Sequence, residues 1–472
     1  MRAIAAWLTV LLLANAVFLA IRVADVLLPR PAIEAALGEG FASGGLGPAN
    51  YSTSHLLGID QYTDCTSMQI AVLGNTPALR NALAPRLASG ESPLPGEAAP
   101  PTRYRCAELR EALDGTLRIE GEPTYTRFWH GQSTLLALAL QVLPLDGYRA
   151  LLLDLGLGLI ALAAVLAALR GRRVLVCLAP LLLASFVLGG QFGFGQLVSH
   201  APGQIVAWAM AVVLIARWDR LGEPTIRRLA VLAGALEAFF DMMIGQPFAV
   251  SLFLIVAGTL SLAAARPPGL ARAAAATFAR AMAWGFGLAG SFGLKLLLTA
   301  SVLGGEAVFG PFLAQLRLRT GIADPQAGLA AGSWADAVGR DILLLANEAS
   351  NLGYTAGGSG PASAMIVAAG LAGWLWLADR ARRAWRDGRL GTLLANGTGY
   401  GAAALLFLAW VAIFPEHTWR HAWFMVRAAS VWLFGGWGWA LTDLVLSGWM
   451  PTRSAAISAA APSLPRAGRT RR

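Results

Sequence analysis

Lysine is almost missing from this chain: of its 37 basic residues only Lys295 is a lysine, and the others are arginines. Charge of either sign is scarce, at 14% of 472 residues against 56% hydrophobic. A soluble protein of that composition would need a core larger than single domains build, so a soluble reading is set aside. Nucleotide chemistry also lacks its signatures: there is no P-loop, no GxGxxG in a βαβ setting and no GxSxG turn. ATP-driven or nucleotide-sugar chemistry is thereby disfavoured, and any donor has to be borne by a lipid. The net charge of +10 does not point to nucleic acid, because the excess arginine sits in short segments between apolar runs and in the C-terminal tail.

What is present is a series of apolar runs long enough to cross a hydrocarbon layer. About ten crossings are predicted, beginning near residues 3, 149, 174, 202, 229, 247, 281, 361, 390 and 422. The arginine-rich stretches "RGRR" at 170–173, "RWDRLGEPTIRR" at 217–228, "RPPGLAR" at 266–272 and "DRARRAWRDGR" at 379–389 are placed in the cytoplasm by the positive-inside rule. Both termini then face the cytoplasm, across a bacterial inner membrane. The first run, Ala3 to Val26, lacks a convincing cleavage site and reads as a retained helix rather than a signal peptide. The expected fold is an all-α, polytopic transmembrane helix bundle. Residues 1–449 form its membrane domain, with a long first extracytoplasmic loop at 28–148 and a second at 304–360, and residues 450–472 are a disordered basic tail. Within the first loop "SGESPLPGEAAPP" reads as an exposed linker, and "WHGQSTLLALALQVLPL" as a helix too short to span. "DMMIGQP" suits a tight turn between two crossings. Cys65 and Cys106 share the first loop, where a disulfide would form in an oxidising space, and Cys177 lies in an apolar run as a small core residue.

The ionisable residues that interrupt the apolar pattern gather on the outward side. They are Asp60 and Asp64 in "GIDQYTDC", Arg127 and His130 in "YTRFWHG", Asp241 in "FFDMMIG", and His417, Arg420, His421 and Arg427 in "HTWRHAWFMVR"; all five histidines fall on that side. Ionisable groups are costly in a bilayer, so together they point to one outward-facing polar cavity. Each has a plainer alternative. Asp60 and Asp64 are four apart, which on a helix places both carboxylates on one face for acid, base or cation work, or they are solvated loop residues. Asp241 contacts substrate or caps a helix turn. His417 and His421 form an HxxxH pair whose options are anion contact, interfacial packing or metal, and no third ligand is evident. Lys295 lies about 14 residues, roughly 21 Å, into its helix, where it snorkels outward or meets a phosphate, with Arg317 and Arg319 nearby in the second loop. A guanidinium fork matches phosphate oxygens, which favours the anion option for Arg420 and Arg427.

The layout resembles the GT-C type glycosyltransferases, the superfamily of protein mannosyltransferases and aminoarabinose transferases. "YTRFWHG", "ALEAFFDMMIGQP" and "HTWRHAWFMVR" look like the Y-x-R-x-W-H-G, F-D-x-x-x-x-x-P and H-x-x-x-H-x-x-F-x-x-R pieces of a group of bacterial polytopic proteins with that layout. The resemblance implies a polyprenyl-phosphate sugar donor and an acid in the first outward loop acting as general base or holding a metal. That role falls to Asp60, with Asp64 second, although the usual acids are adjacent or one apart and these are separated by three residues. The expected activity is transfer of a sugar from polyprenyl phosphate to an envelope glycan, lipid or protein on the outer face. Arg127, His130, Asp241, Lys295, His417, Arg420, His421 and Arg427 would contact substrate. No cofactor is demanded, though the acid pair leaves room for a divalent cation. The alternative is a transporter or flippase for a lipid-linked or anionic solute.

Overall fold

The structure, a computed structural model, describes residues 2–47, 61–73, 77–87, 105–116, 125–188, 195–241, 245–263, 268–320, 361–420 and 422–449. Among them every regular element is a helix. Asp60, His421, the 89–101 linker and the tail beyond 449 lie outside the described residues, as do the side chains of Arg420 and Arg427.

The chain begins with α1 (Arg2–Asp25), whose 24 residues reach about 36 Å, enough to cross a bilayer core. Five short helices follow: α2 (Arg30–Ala42), α3 (Gln61–Val72), α4 (Ala78–Leu83), α5 (Arg105–Leu113) and α6 (Gly131–Ala139). The described part of the first loop is therefore helical and carries its own core, in which Ile33, Leu37, Met68, Leu109 and Leu136 surround a disulfide between Cys65 and Cys106. With nine residues, α6 reaches only about 14 Å, short of a crossing.

The bundle continues through α7 (Leu145–Arg170), α8 (Arg172–Leu183), α9 (Ala201–Arg217), α10 (Glu223–Phe240), α11 (Gln246–Leu262) and α12 (Leu270–Leu303). It is completed by α13 (Gly305–Arg319), α14 (Pro361–Arg386), α15 (Leu390–Asn396), α16 (Thr398–Ile413), α17 (Pro415–Arg420) and α18 (Ala422–Leu444). A helix lies at each of the ten expected crossing positions. Among the described residues four spans meet the length and apolarity of a crossing: Ala3–Asp25, Leu145–Arg170, Ala201–Arg220 and Leu270–Leu303. The pair α15 and α16, bent by 71° at Gly397, would make a fifth. Of the others, α11 has 17 residues, and α8 carries Pro180 and passes into a π-turn.

Close packing is set by small residues. A Cβ on Gly234 of α10 would lie 2.0 Å from the carbonyl oxygen of Trp284, and one on Gly287 of α12 equally close to that of Val231, so the two helices touch backbone to backbone. The main core runs through Trp208, Phe248, Phe253, Tyr400 and Phe407. Polar clusters occupy its two ends. One end gathers the short helices α2–α6 with Asp241 and Lys295; the other gathers arginines, in pairs such as Arg170 with Asp219, Arg280 with Glu223 and Arg380 with Asp443.

Candidate functional site: a cationic aromatic cavity

The turn Tyr125–Gly131 organises the end that carries the short helices. Trp129 is fully buried; its indole Nε1 donates to the Ser291 carbonyl at 3.2 Å, and its ring packs against Phe18 and Phe239. His130 takes a left-handed backbone, φ 61°, the only non-glycine with positive φ among the described residues. Such backbone strain persists only where the surroundings over-determine it. Here Gly131 follows, and a Cβ there would lie 2.3 Å from the Phe239 ring and 2.8 Å from its carbonyl, so the chain passes where only glycine fits. The turn is pinned to α12 by Lys295, whose buried ammonium donates to the carbonyls of Leu83 and Thr126 (the latter at 3.3 Å) and to Thr299 Oγ1 at 2.9 Å.

His130 Nε2 lies 2.9 Å from the Tyr125 carbonyl, which can only accept, so that nitrogen carries the proton and Nδ1 keeps its lone pair. Among the described residues no hydrogen-bond partner meets Nδ1. Burial first, then the charge of Arg22, holds the imidazole well below the usual histidine range, with Lys295 and Arg127 acting in the same direction. The shift favours the neutral imidazole as a hydrogen-bonding group.

Anchored this way, the turn presents Arg127 and Phe128 to a cavity of about 80 Å³ that opens to the outside. Phe292 of α12, Phe312, Gln315, Leu316 and Arg319 of α13, Trp410 of α16, and Phe414 and His417 complete its wall. Arg127 Nη1 donates to Gln315 Oε1 at 3.0 Å, and its guanidinium lies 5.0 Å from the Tyr125 ring and 5.8 Å from the Phe128 ring. Among the described residues Arg127 forms no ion pair with a carboxylate. Opposite, Arg319 Nη1 donates to His417 Nδ1 at 2.6 Å. Two guanidinium groups, an imidazole and the Gln315 amide thus sit in a wall that is otherwise aromatic and aliphatic. Such a surface suits an anion with an apolar body, its charge on the arginine forks and its hydrocarbon on the rings.

The remaining predicted residues have other surroundings. Asp64, fully buried, accepts from Ser199 N at 3.0 Å and Ser199 Oγ at 2.8 Å and lies 3.6 Å from Arg149 Nη2, so it ties α3 to α7 and to the entry of α9 beside the disulfide. Asp241 closes the α10–α11 turn, accepting from Gly245 N at 3.0 Å and Gln246 Nε2 at 3.2 Å, which realises the capping alternative. Lys295 is engaged inward and neither snorkels nor lines the cavity. Of the sequence-stretch candidates, the structure brings Arg127, Arg319 and His417 together.

Two features escape the sequence. Glu237 is buried one helical turn before Asp241, and a Cβ built on Gly203 would lie 3.2 Å from Asp241 Oδ2 and 3.5 Å from Glu237 Oε2. The four-residue spacing in "ALEAFFD" could have signalled it, as it did for Asp60 and Asp64. Arg22 and Asp25 form a buried pair at 2.6 Å with Thr134, which nothing short of the folded α1–α6 contact announces. Among the described residues no group of three or more histidine, cysteine, aspartate or glutamate side chains converges as a metal set.

What the described residues define is an all-helical chain with helices built to cross a membrane and a cationic, aromatic cavity at one end. No family model, curated protein or solved structure matches it.

Proposed function

We propose that this chain is a multi-pass protein of a bacterial cytoplasmic membrane, both termini inside, which transfers a sugar from a polyprenyl phosphate to an envelope acceptor on the outer face. The observation that carries the reading is Arg127: a guanidinium without a carboxylate partner, in a wall of aromatic rings, with Arg319 and His417 opposite. In this reading the donor phosphate bridges the two arginines while the first isoprene units lie against Phe128, Phe292, Phe312 and Phe414. The acceptor oxygen attacks the anomeric carbon, the bond from that carbon to the phosphate oxygen breaks, and the phosphate leaves with the electron pair. Cations fixed beside the departing oxygen favour that step more in a water-poor cavity than in solvent. Arg420 and Arg427, whose side chains lie outside the described residues, are proposed from the sequence alone as further phosphate contacts. The acceptor proton passes to the carboxylate of Asp60, in keeping with the resemblance to GT-C enzymes.

The test is a transfer assay on the purified protein in lipid, with radiolabelled polyprenyl-phosphate sugars and envelope extracts, comparing wild type with Arg127→Ala and Asp60→Asn. Label moving to an acceptor with wild type and lost in both variants supports the reading. Donor bound with no transfer by wild type removes the enzyme and leaves a carrier of lipid-linked solutes.

A further inference from the structure

The arginine end of the bundle holds a second cavity, of about 370 Å³, which the transferase reading does not use. It lies between the start of α10, the end of α11 and the start of α12, and its polar lining includes Glu223, Arg227, Ser261, Arg272, Thr277 and Arg280. Three guanidinium groups face one carboxylate, so two positive charges are left over. Arg280, only 4% exposed, uses Nε and Nη2 on Glu223 at 3.2 and 2.6 Å and Nη2 also on Ser261 Oγ at 3.1 Å; its Nη1 makes no hydrogen bond. Arg227 Nε shares the same carboxylate at 3.1 Å. Arg272 is exposed and pairs with nothing among the described residues. Glu223 brings one negative charge and cannot neutralise all three arginines. The first turn of the 34-residue α12 opens into the cavity as well, and its N-cap, Gly269, offers no side chain to its free amides.

The surroundings say which anion fits. Further along α12, Phe278 is 68% exposed and Met282 53%, four residues apart on one face of a helix long and apolar enough to cross a membrane. Neither lines the cavity, but Ala275 of its wall lies three and seven residues before them on that face, so a ligand with its phosphate at Arg272 and hydrocarbon running past Ala275 along Phe278 and Met282 satisfies both surfaces, whereas free phosphate satisfies only the first. We infer that the cavity lined by Arg227, Arg272 and Arg280 is a binding site for the phosphate headgroup of an anionic phospholipid. Along α12 the site stands about 22 Å (Arg280) to 35 Å (Arg272) from Lys295, at 1.5 Å per residue, so it is independent of the aromatic cavity and of any transfer there.

The experiment titrates the full-length protein in detergent with dioctanoyl phosphatidylglycerol, dioctanoyl phosphatidylcholine and inorganic phosphate, read by native mass spectrometry. The Arg227→Ala/Arg272→Ala variant leaves the Arg280–Glu223 pair in place, and Arg227→Lys/Arg272→Lys keeps the charge but removes the forks. Phosphatidylglycerol is expected to bind wild type in preference to phosphatidylcholine and to weaken about tenfold or more in the alanine variant, the loss expected of charge-assisted contacts. The lysine variant should lose less. Equal affinity for the two lipids on wild type, or no change in a folded alanine variant, overturns the site. Inorganic phosphate that saturates the site and displaces the lipid at matching concentration overturns the lipid assignment in favour of a free anion.

Discussion

Lys295 and Thr126 meet inside the protein, the ammonium of the only lysine donating at 3.3 Å to a backbone carbonyl one residue before Arg127. Thr299 and the end of α4 at Leu83 complete its coordination. The lysine therefore acts on the cavity through the backbone of the turn, as a positioning residue.

Lys295→Met should lower stability by about 2–4 kcal/mol, because the Leu83 and Thr126 carbonyls lose their donor in a dry site. Thermal unfolding in detergent reads the loss, and lipid-phosphate binding should weaken with it even at temperatures where the variant stays folded. Unchanged binding in a folded variant would separate the lysine from the cavity.

Arg127→Ala is expected to weaken binding of a short-chain prenyl phosphate by about tenfold to a hundredfold, with little change in melting temperature, since the arginine sits beside an open cavity. Arg127→Lys should recover only part of the affinity, because an ammonium cannot hold Gln315 and a phosphate with one planar fork. Full recovery by lysine would reduce the role of Arg127 to charge alone.

His130 gives a pH signature of known sign. Its folded-state pKa lies below the usual 6.5, so as pH falls through about 6.5 the unfolded chain takes up a proton that the folded chain refuses. Stability contributed by this group is present above that pH and declines below it. Melting temperature should drop between pH 7.5 and 5.5 in wild type, and the drop should shrink in His130→Asn.

Gly131→Ala places a methyl 2.3 Å from the Phe239 ring and 2.8 Å from its carbonyl. Overpacking of that degree costs roughly 1–3 kcal/mol or more, because backbone has to move. The same substitution at Gly158 of α7, where a Cβ meets nothing within 4 Å, is the control that should leave melting unchanged or raise it slightly.

Reduction of the Cys65–Cys106 bond reopens a loop of 41 residues' separation, a chain-entropy effect of about 4 kcal/mol. Limited proteolysis of the α2–α5 region should accelerate with dithiothreitol or in Cys106→Ser, while the membrane helices stay protected.

Where a feature depends on neighbours in the sequence, it was legible there. The helix positions followed from apolar run length, and the α10–α11 turn from Gly245 and Pro247. The pairing of Cys65 with Cys106 was open from spacing alone, because nothing local brings the two together. Features that join distant segments were not legible. Lys295 looked like a snorkelling residue or a ligand for phosphate because its acceptors at Leu83 and Thr126 lie 212 and 169 positions away. Asp64 looked free for chemistry because Ser199, 135 positions on, is absent from its local context. Arg127 was visible in the sequence as one of the outward polar residues, but the sequence could not announce its aromatic wall, which comes from α12, α13 and α16.

The burial of Lys295 has a use outside function. The chain offers no other lysine ε-amine, so the folded surface presents none to acylating reagents, ubiquitin-type conjugation or lysine-directed crosslinkers. Acylation at position 295 would mark only molecules in which α12 has parted from the Tyr125–Gly131 turn, a built-in chemical clock for the opening of that joint.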